Sequence, residues 1–157
     1  MNIKLLCIGK TDDSNLDELI SVYVKRLKHY VNFELEIIPD LKKTKNLSEE
    51  QQKEKEGELI LSKVNAQDEL ILLDENGKDF SSEKYADYLQ KKMNSGIKTL
   101  VFVIGGPYGF SSEVYAKARG KVSLSKMTFS HQMIRLFITE QIYRAFTILR
   151  NEPYHHR

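Results

Sequence analysis

Hydrophobic residues along this chain follow two patterns: short unbroken runs, and longer stretches with apolar positions three or four apart. The runs "NIKLLCI" (2–8), "FELEIIP" (33–39), "ELILLD" (69–74), "TLVFVI" (99–104) and "KVSLS" (121–125) have the length of strands. Runs as continuous as 69–74 and 99–104 are expected where both faces of a strand are covered. Leu16, Leu19, Ile20, Tyr23, Leu27 and Tyr30 follow the 3.6 period, with Ser14 or Asn15 placed to cap their helix. "SEEQ" (48–51) has capping-box spacing and opens a highly charged helix reaching about Val64. Ser81 or Ser82 opens a third helix carrying Tyr85, Tyr88, Leu89 and Met93, which Gly96 ends as a left-handed residue. A short helix is predicted from about Ser112 to Ala118, and a last one over roughly His131 to Arg150. "DLKKTKN" after Pro39 reads as a polar loop, and "ENGK" (75–78) as a turn.

Strands and helices alternate from end to end, which predicts an α/β fold with a mostly parallel sheet flanked by helices. No internal repeat or linker divides the chain, so residues 1–157 read as a single domain. The last helix is apolar at 133, 134, 136, 137, 138, 142, 145, 146, 148 and 149, more of its circumference than one sheet face can bury. The second burying surface expected for it is another copy of the chain, hence a homodimer.

Composition narrows the setting. Hydrophobic residues make up 41% and charged residues 29%, ordinary for a globular chain. No apolar run approaches the roughly 18 residues that span a bilayer, and "MNIKLLCIGKTDD" turns polar too soon for a signal peptide. Cys7, the single cysteine, lies in an apolar run and reads as a buried core thiol. A cytoplasmic protein without membrane contact is expected. The net charge of +2 hides an asymmetry: residues 117–157 hold eight Lys/Arg against Glu140 and Glu152, a net of +6, leaving −4 on the first 116. A basic C-terminal third suits a polyanionic partner.

The stretch "VFVIGGPYGFSSEV" (101–114) carries the chemistry. A buried strand leaves through Gly105, Gly106 and Pro107, meets Gly109, and only then starts a helix. Such loops hold ligands against main-chain atoms. A dinucleotide G-x-G-x-x-G would need glycines at 107 and 110, where Pro107 and Phe110 stand. No Lys-Ser/Thr pair follows Gly109 for a P-loop, and "GKT" (9–11) lacks the glycine it needs, having Lys4 there. His29, His131, His155 and His156 form no metal-ligand spacing, and no serine sits in a G-x-S-x-G elbow. A cofactor held by backbone groups at a strand end, without metal or phosphate, is what is left.

"IKLLCIGK", "LILLDENGK", "VFVIGGPYGF", "VSLSKMTFSHQMIR" and "EQIYRAFTILRNEPYHHR", taken together, resemble the ribosomal RNA large subunit methyltransferase H family. The resemblance runs from the first strand to the last residue in the same order. The combination of IGGPxG, LSKMTF-x-HQ and a terminal PYH is far more specific than any glycine loop alone. Two departures stand out: Ser130, where relatives often carry Pro, which predicts a less rigid loop before His131, and the doubled His155-His156 before Arg157.

The resemblance implies a SPOUT-type fold with a C-terminal trefoil knot, binding S-adenosylmethionine and methylating N(3) of a pseudouridine in 23S rRNA, with the ribosome as partner. It places the cofactor at Leu73, at Gly105 and Gly106, and at Leu124, Ser125, Lys126, Met127, Thr128 and Phe129, with Leu73, Leu124 and Met127 as apolar walls. Read alone, Leu73 and Leu124 are core strand residues and the glycines a tight turn. The acceptor imide must lose a proton, and His131, Arg144, Tyr154 and His155 match the positions that could serve it. Arg144 also sits one turn after Glu140, the spacing of a plain intrahelical ion pair. Tyr154 and His155 lie in a tail otherwise expected to fray, and Tyr-His-His-Arg is suited to stack on a base and grip a phosphate of the partner copy's site. Two other readings stand beside this one: a SPOUT enzyme for another RNA such as tRNA, and a ribosome-binding module without catalysis.

Overall fold

The structure is a computed structural model and describes residues 1–156. The elements run β1 (Asn2–Ile8), α1 (Ser14–Leu27), β2 (Asn32–Ile38), a 3₁₀ turn at Thr44–Asn46, α2 (Glu49–Ser62), β3 (Glu69–Asp79), α3 (Ser82–Asn94), β4 (Thr99–Ile104), α4 (Ser112–Lys117), β5 (Gly120–Ser123) and α5 (Met133–Leu149). One five-stranded sheet has the order β2-β1-β4-β3-β5, with every neighbouring pair parallel. This order is consistent with the threaded C-terminal segment that the resemblance implies.

The continuous apolar strands are buried on both faces because helices cover both. Ile3, Leu5, Cys7, Ile71, Leu100, Phe102 and Ile104 face a core closed by α1, α3 and α5. Their alternates Leu6, Ile8, Leu70, Leu72, Val101 and Val103 meet Ile60 of α2 and Val114 of α4. Period-two alternation thus feeds two cores from β1, β3 and β4. Cys7 is buried, and burial raises its thiol pKa to about 11, with Arg135 pulling the other way.

The ends of the elements depart from expectation for local reasons. Asp13, rather than Ser14 or Asn15, caps α1, its carboxylate accepting from the amides of Asn15 (2.7 Å) and Leu16 (3.2 Å). Ser48 and Gln51 complete the capping box of α2, Ser81 caps α3, and Gly96 (φ +81°) follows as the left-handed stop. "ENGK" is not a turn between elements: β3 continues to Asp79, and its pairing with β5 jumps from Leu73 to Lys78, both opposite Val122. The excursion folds over β5 so closely that a Cβ on Gly77 would lie 2.7 Å from backbone atoms of Lys121 and Val122.

α5 finds its second burying surface within the chain, because it packs against both α1 and α3. Its excess apolar residues therefore do not by themselves require another copy. Met133 and Phe137 stay partly exposed at its first turns, beside Phe129 (rings of 129 and 137 at 5.1 Å). Among the described residues no helix is long and apolar enough to cross a membrane.

Candidate active site at the carboxyl ends of three strands

β3, β4 and β5 end side by side, and the loops leaving them enclose a cavity of about 530 Å³. Parallel sheets place ligand crevices at this edge, beyond the carboxyl ends of the strands. Leu73, Asp74 and Glu75 come from the β3 excursion, Ile104 to Phe110 from the glycine loop, and Val122 to Ser125, Met127 to His131 and Ile134 from the chain between β5 and α5. Side chains stitch these loops together. Thr128 Oγ1 donates to Glu75 Oε2 (3.0 Å), the Tyr115 hydroxyl donates to Asp74 Oδ2 (2.8 Å), and Ser125 Oγ accepts from the amide of Met127 (3.0 Å). Burial, then the bond to Asp74, pushes the Tyr115 hydroxyl up to about 12, so it stays a donor.

The wall chemistry is selective. Among the described residues, two carboxylates, glycine main chain and a mixture of apolar and polar side chains line the cavity, and no lysine or arginine does. A phosphate-bearing cofactor gains no lysine or arginine partner from these residues, whereas a cationic one meets Asp74 and Glu75. Of the residues that the resemblance assigns to the cofactor, Leu73, Gly105, Gly106, Leu124, Ser125, Met127, Thr128 and Phe129 line this cavity, and Lys126 does not. Met127 is 74% exposed, an open rim rather than a closed wall. No three His, Cys, Asp or Glu among the described residues are grouped to hold a metal.

The glycines have a reason that spacing did not reveal. A Cβ on Gly105 would lie 3.1 Å from the Phe110 ring, and one on Gly106 would lie 2.6 Å from both carboxyl oxygens of Glu56. A side chain at 105 would press on the Phe110 ring, and one at 106 would require the Glu56 carboxyl to move. Gly109 (φ +82°) supplies the left-handed turn, its amide donating to the Gly106 carbonyl (3.2 Å).

Sequence reasoning also missed Arg135. It is 1% exposed, and its guanidinium donates to the carbonyls of Ile8 (2.8 Å) and His131 (3.2 Å) and to Thr11 Oγ1 (3.1 Å). Gln132 adds bonds to the Asp12 amide and the Lys10 carbonyl. "HQMIR" therefore clamps the first loop to the start of α5 and holds His131 at the cavity. The charge of Arg135 is spent inside, so the basic C-terminal third is not one exposed face. Ser130, expected to leave the loop less rigid, bonds to the start of α5: its hydroxyl accepts from the Met133 amide (3.0 Å) and its carbonyl from the Ile134 amide (3.0 Å).

Arg144, Tyr154 and His155 form a second cluster, none of them lining the cavity of their own chain. Glu140 organises it: Oε1 accepts from Arg144 Nη2 (2.6 Å) and from the Tyr154 hydroxyl (2.8 Å). Arg144 also meets His155 Nδ1 (3.2 Å) and lies over the Tyr154 ring (4.8 Å), which packs edge-on against Tyr143 (4.8 Å). An arginine can only donate, so Nδ1 accepts and its lone pair is occupied. Burial first, then hydrogen bonds to Tyr23 and Glu140, raises the Tyr154 pKa, so this hydroxyl stays protonated. The intrahelical ion pair expected at Glu140–Arg144 is present, and the tail is docked on α5 instead of frayed. Arg157, assigned to grip a phosphate, lies outside the described residues.

The family model described as "Predicted SPOUT methyltransferase" matches residues 1–155. The chain belongs to the SPOUT methyltransferase family. Proteins named ribosomal RNA large subunit methyltransferase H are similar to this SPOUT chain over their full length: 71% identical in Christiangramia forsetii and 73% in Flavobacterium johnsoniae, each over 157 residues and 100% of both chains. The relative of that name in Parabacteroides distasonis is 63% identical over 156 residues, 99% of both chains. Among solved structures, a probable methylase family protein from Haemophilus influenzae Rd KW20 aligns with TM-score 0.54 at 13% identity, covering 96% of this chain and 66% of that one. That likeness supports the fold alone.

Proposed function

We propose that this SPOUT methyltransferase transfers a methyl group from S-adenosylmethionine to N(3) of a pseudouridine in 23S rRNA on the assembled ribosome. The observation that carries the reading is the strand-end cavity, lined by Gly105 and Gly106 and by the carboxylates of Asp74 and Glu75 and, among the described residues, by no lysine or arginine. When bound, the cofactor supplies an electrophilic methyl group on a cationic sulfonium. Leu73 and Leu124 provide apolar walls, the main chain of 105–106 and 124–129 can pair with adenine edges, and Asp74 and Glu75 complement the cation. The names of the relatives support ribosomal RNA as the acceptor.

Acceptor chemistry needs two further things, an orienting surface and a place for the imide proton. His131 lines the cavity of its own chain. Arg144, Tyr154 and His155 lie outside it, so they serve the acceptor across a homodimer, packed through Phe129, Met133 and Phe137. There Tyr154 stacks on the base and Arg144 stabilises the imidate. Tyr154 does not take the proton, since its own hydroxyl is held protonated. His155 Nδ1 must first leave Arg144 to do so, which favours His131 as acceptor.

Calorimetry with S-adenosylmethionine tests the first half: binding should occur and be unchanged by EDTA. Chelator-sensitive affinity, or none, would overturn the assignment of the cavity. Mixing a Gly105→Val chain with one lacking residues 154–157 tests the second half. Mixed dimers should regain methyl transfer that neither parent shows, and no recovery would refute the shared site. A chain that binds cofactor and methylates tRNA but not ribosomes would favour the other SPOUT reading.

A further inference from the structure

One buried carboxyl group stands behind the glycine loop without a role in the chemistry above. Glu56, on α2, is 4% exposed and lines neither cavity wall nor rim. Among the described residues its Oε1 has no hydrogen-bond partner. Both carboxyl oxygens face the α-carbon of Gly106, since a Cβ there would lie 2.6 Å from each. The next residue, Gly57, abuts Ser111, whose hydroxyl caps α4 through the Val114 amide (3.3 Å). Two consecutive residues of α2 thus bear on residues 106 and 111 of one loop, on the side away from the cavity.

An apolar side chain would fill this space without the cost of an unpaired buried oxygen. What a flat, planar carboxyl supplies is a rigid face at close contact with a residue that has no side chain of its own. The turn it bears on is closed by the pairing of Gly106 with Gly109, in which the Gly109 amide donates to the Gly106 carbonyl (3.2 Å). Glycines are the residues most free to leave a bound conformation, so a loop built on them needs an external brace to be ready for a ligand.

We propose that Glu56 is a positioning residue for the cofactor: its carboxyl braces Gly106 in the binding geometry and sets cofactor affinity from outside the cavity. Gln52, one turn earlier, hydrogen-bonds the carboxyl, and Asp40, from the loop after β2, is the charged group that faces it. Burial and Asp40 both favour the neutral acid, a form that packs against the loop without a charge to solvate. The proposal rests on the functional reading in one respect, that this loop binds the cofactor.

The test uses the full chain with Glu56→Gln, Glu56→Asp, Glu56→Ala, Gly106→Ala and the Glu56→Ala/Gly106→Ala pair. Affinity for S-adenosylmethionine is read by calorimetry, and exchange of amides 105–111 by hydrogen exchange without ligand. Glutamine, equal in shape, should bind like the parent. Alanine should bind roughly tenfold more weakly, exchange the loop faster and raise the KM for cofactor without raising that for ribosomes. Aspartate, one methylene shorter, should fall between them and serves should the alanine chain not fold. The added methyl of Gly106→Ala occupies the space that Glu56→Ala vacates, so the double variant should bind no worse than either single one. Parental affinity and loop exchange in Glu56→Ala, or a glutamine variant as weak as alanine, would overturn the brace. A parent chain that binds no cofactor would instead overturn the functional reading, and loop exchange would still report on Glu56.

Discussion

Only three residues follow Tyr154 in the chain, yet its side chain makes contacts that a frayed tail would lack. The hydroxyl donates to Glu140 (2.8 Å), the ring packs edge-on against Tyr143 (4.8 Å), and Arg144 lies over its face (4.8 Å). A hydrogen bond to a charged group is worth about 1.5–3 kcal/mol at most, and this half-exposed one keeps about 1. Glu140 is not stranded by its loss, because Arg144 Nη2 still bonds it at 2.6 Å. Tyr154→Phe should therefore cost about 1 kcal/mol. Tyr154→Ala also loses the aromatic pair, about 1 kcal/mol, and the cation–π contact, about 0.5–1 kcal/mol, for a total near 3. For a domain of this size each kcal/mol moves the midpoint by about 2–4 °C, so phenylalanine should lower Tm by about 3 °C and alanine by about 6–10 °C. Thermal unfolding followed by circular dichroism, at one fixed protein concentration because a dimer shifts with dilution, reads both. An alanine variant, or a chain lacking residues 154–157, that melts within a degree of the parent would show that the tail does not dock. A phenylalanine variant as unstable as alanine would refute the division between hydroxyl and ring.

Other consequences are smaller in scope. Gly105→Ala must displace the Phe110 ring from 3.1 Å, so cofactor affinity should fall while the fold persists; Phe110→Leu in the same chain should restore part of it, and calorimetry reads both. Arg135→Met leaves the Ile8 carbonyl without its donor and should cost about 2–3 kcal/mol in denaturant unfolding. Glu56, raised above the ordinary glutamate range chiefly by burial, binds its proton more tightly folded than unfolded. Its stabilising contribution is complete below the unfolded value and is lost as pH rises through the folded one. Unfolding of the parent and Glu56→Gln from pH 4 to 8 should show the glutamine chain gaining relative stability with rising pH, and a gap independent of pH would contradict this.

β3 and β4 were the most legible strands because each carries residues for two cores, and an unbroken apolar run of strand length has few other uses. The β3 excursion was not, because "ENGK" has turn chemistry and only the register against β5 shows the strand resuming at Lys78. The glycine loop stood out in the sequence, but the packing against Gly106 was hidden, since Glu56 is some fifty residues away in sequence. α5 looked too apolar for one surface, and counting residues could not reveal that α1 and α3 flank it. Arg135 read as one more surface charge. Its burial depends on three acceptors, one at the end of β1 and one in the loop after it, and no local pattern signals that. The tail cluster was partly legible, as the Glu140–Arg144 spacing, while the chain's return onto α5 after Asn151 (φ +55°) was not.

Transfer of labelled methyl from S-adenosylmethionine to purified ribosomes lacking the modification, with the labelled nucleotide mapped, tests the central claim most directly. Label should appear at N(3) of a single pseudouridine of 23S rRNA, should not require metal, and should vanish with Gly105→Val. Cofactor binding without transfer to ribosomes or their RNA, or label confined to tRNA, would contradict it.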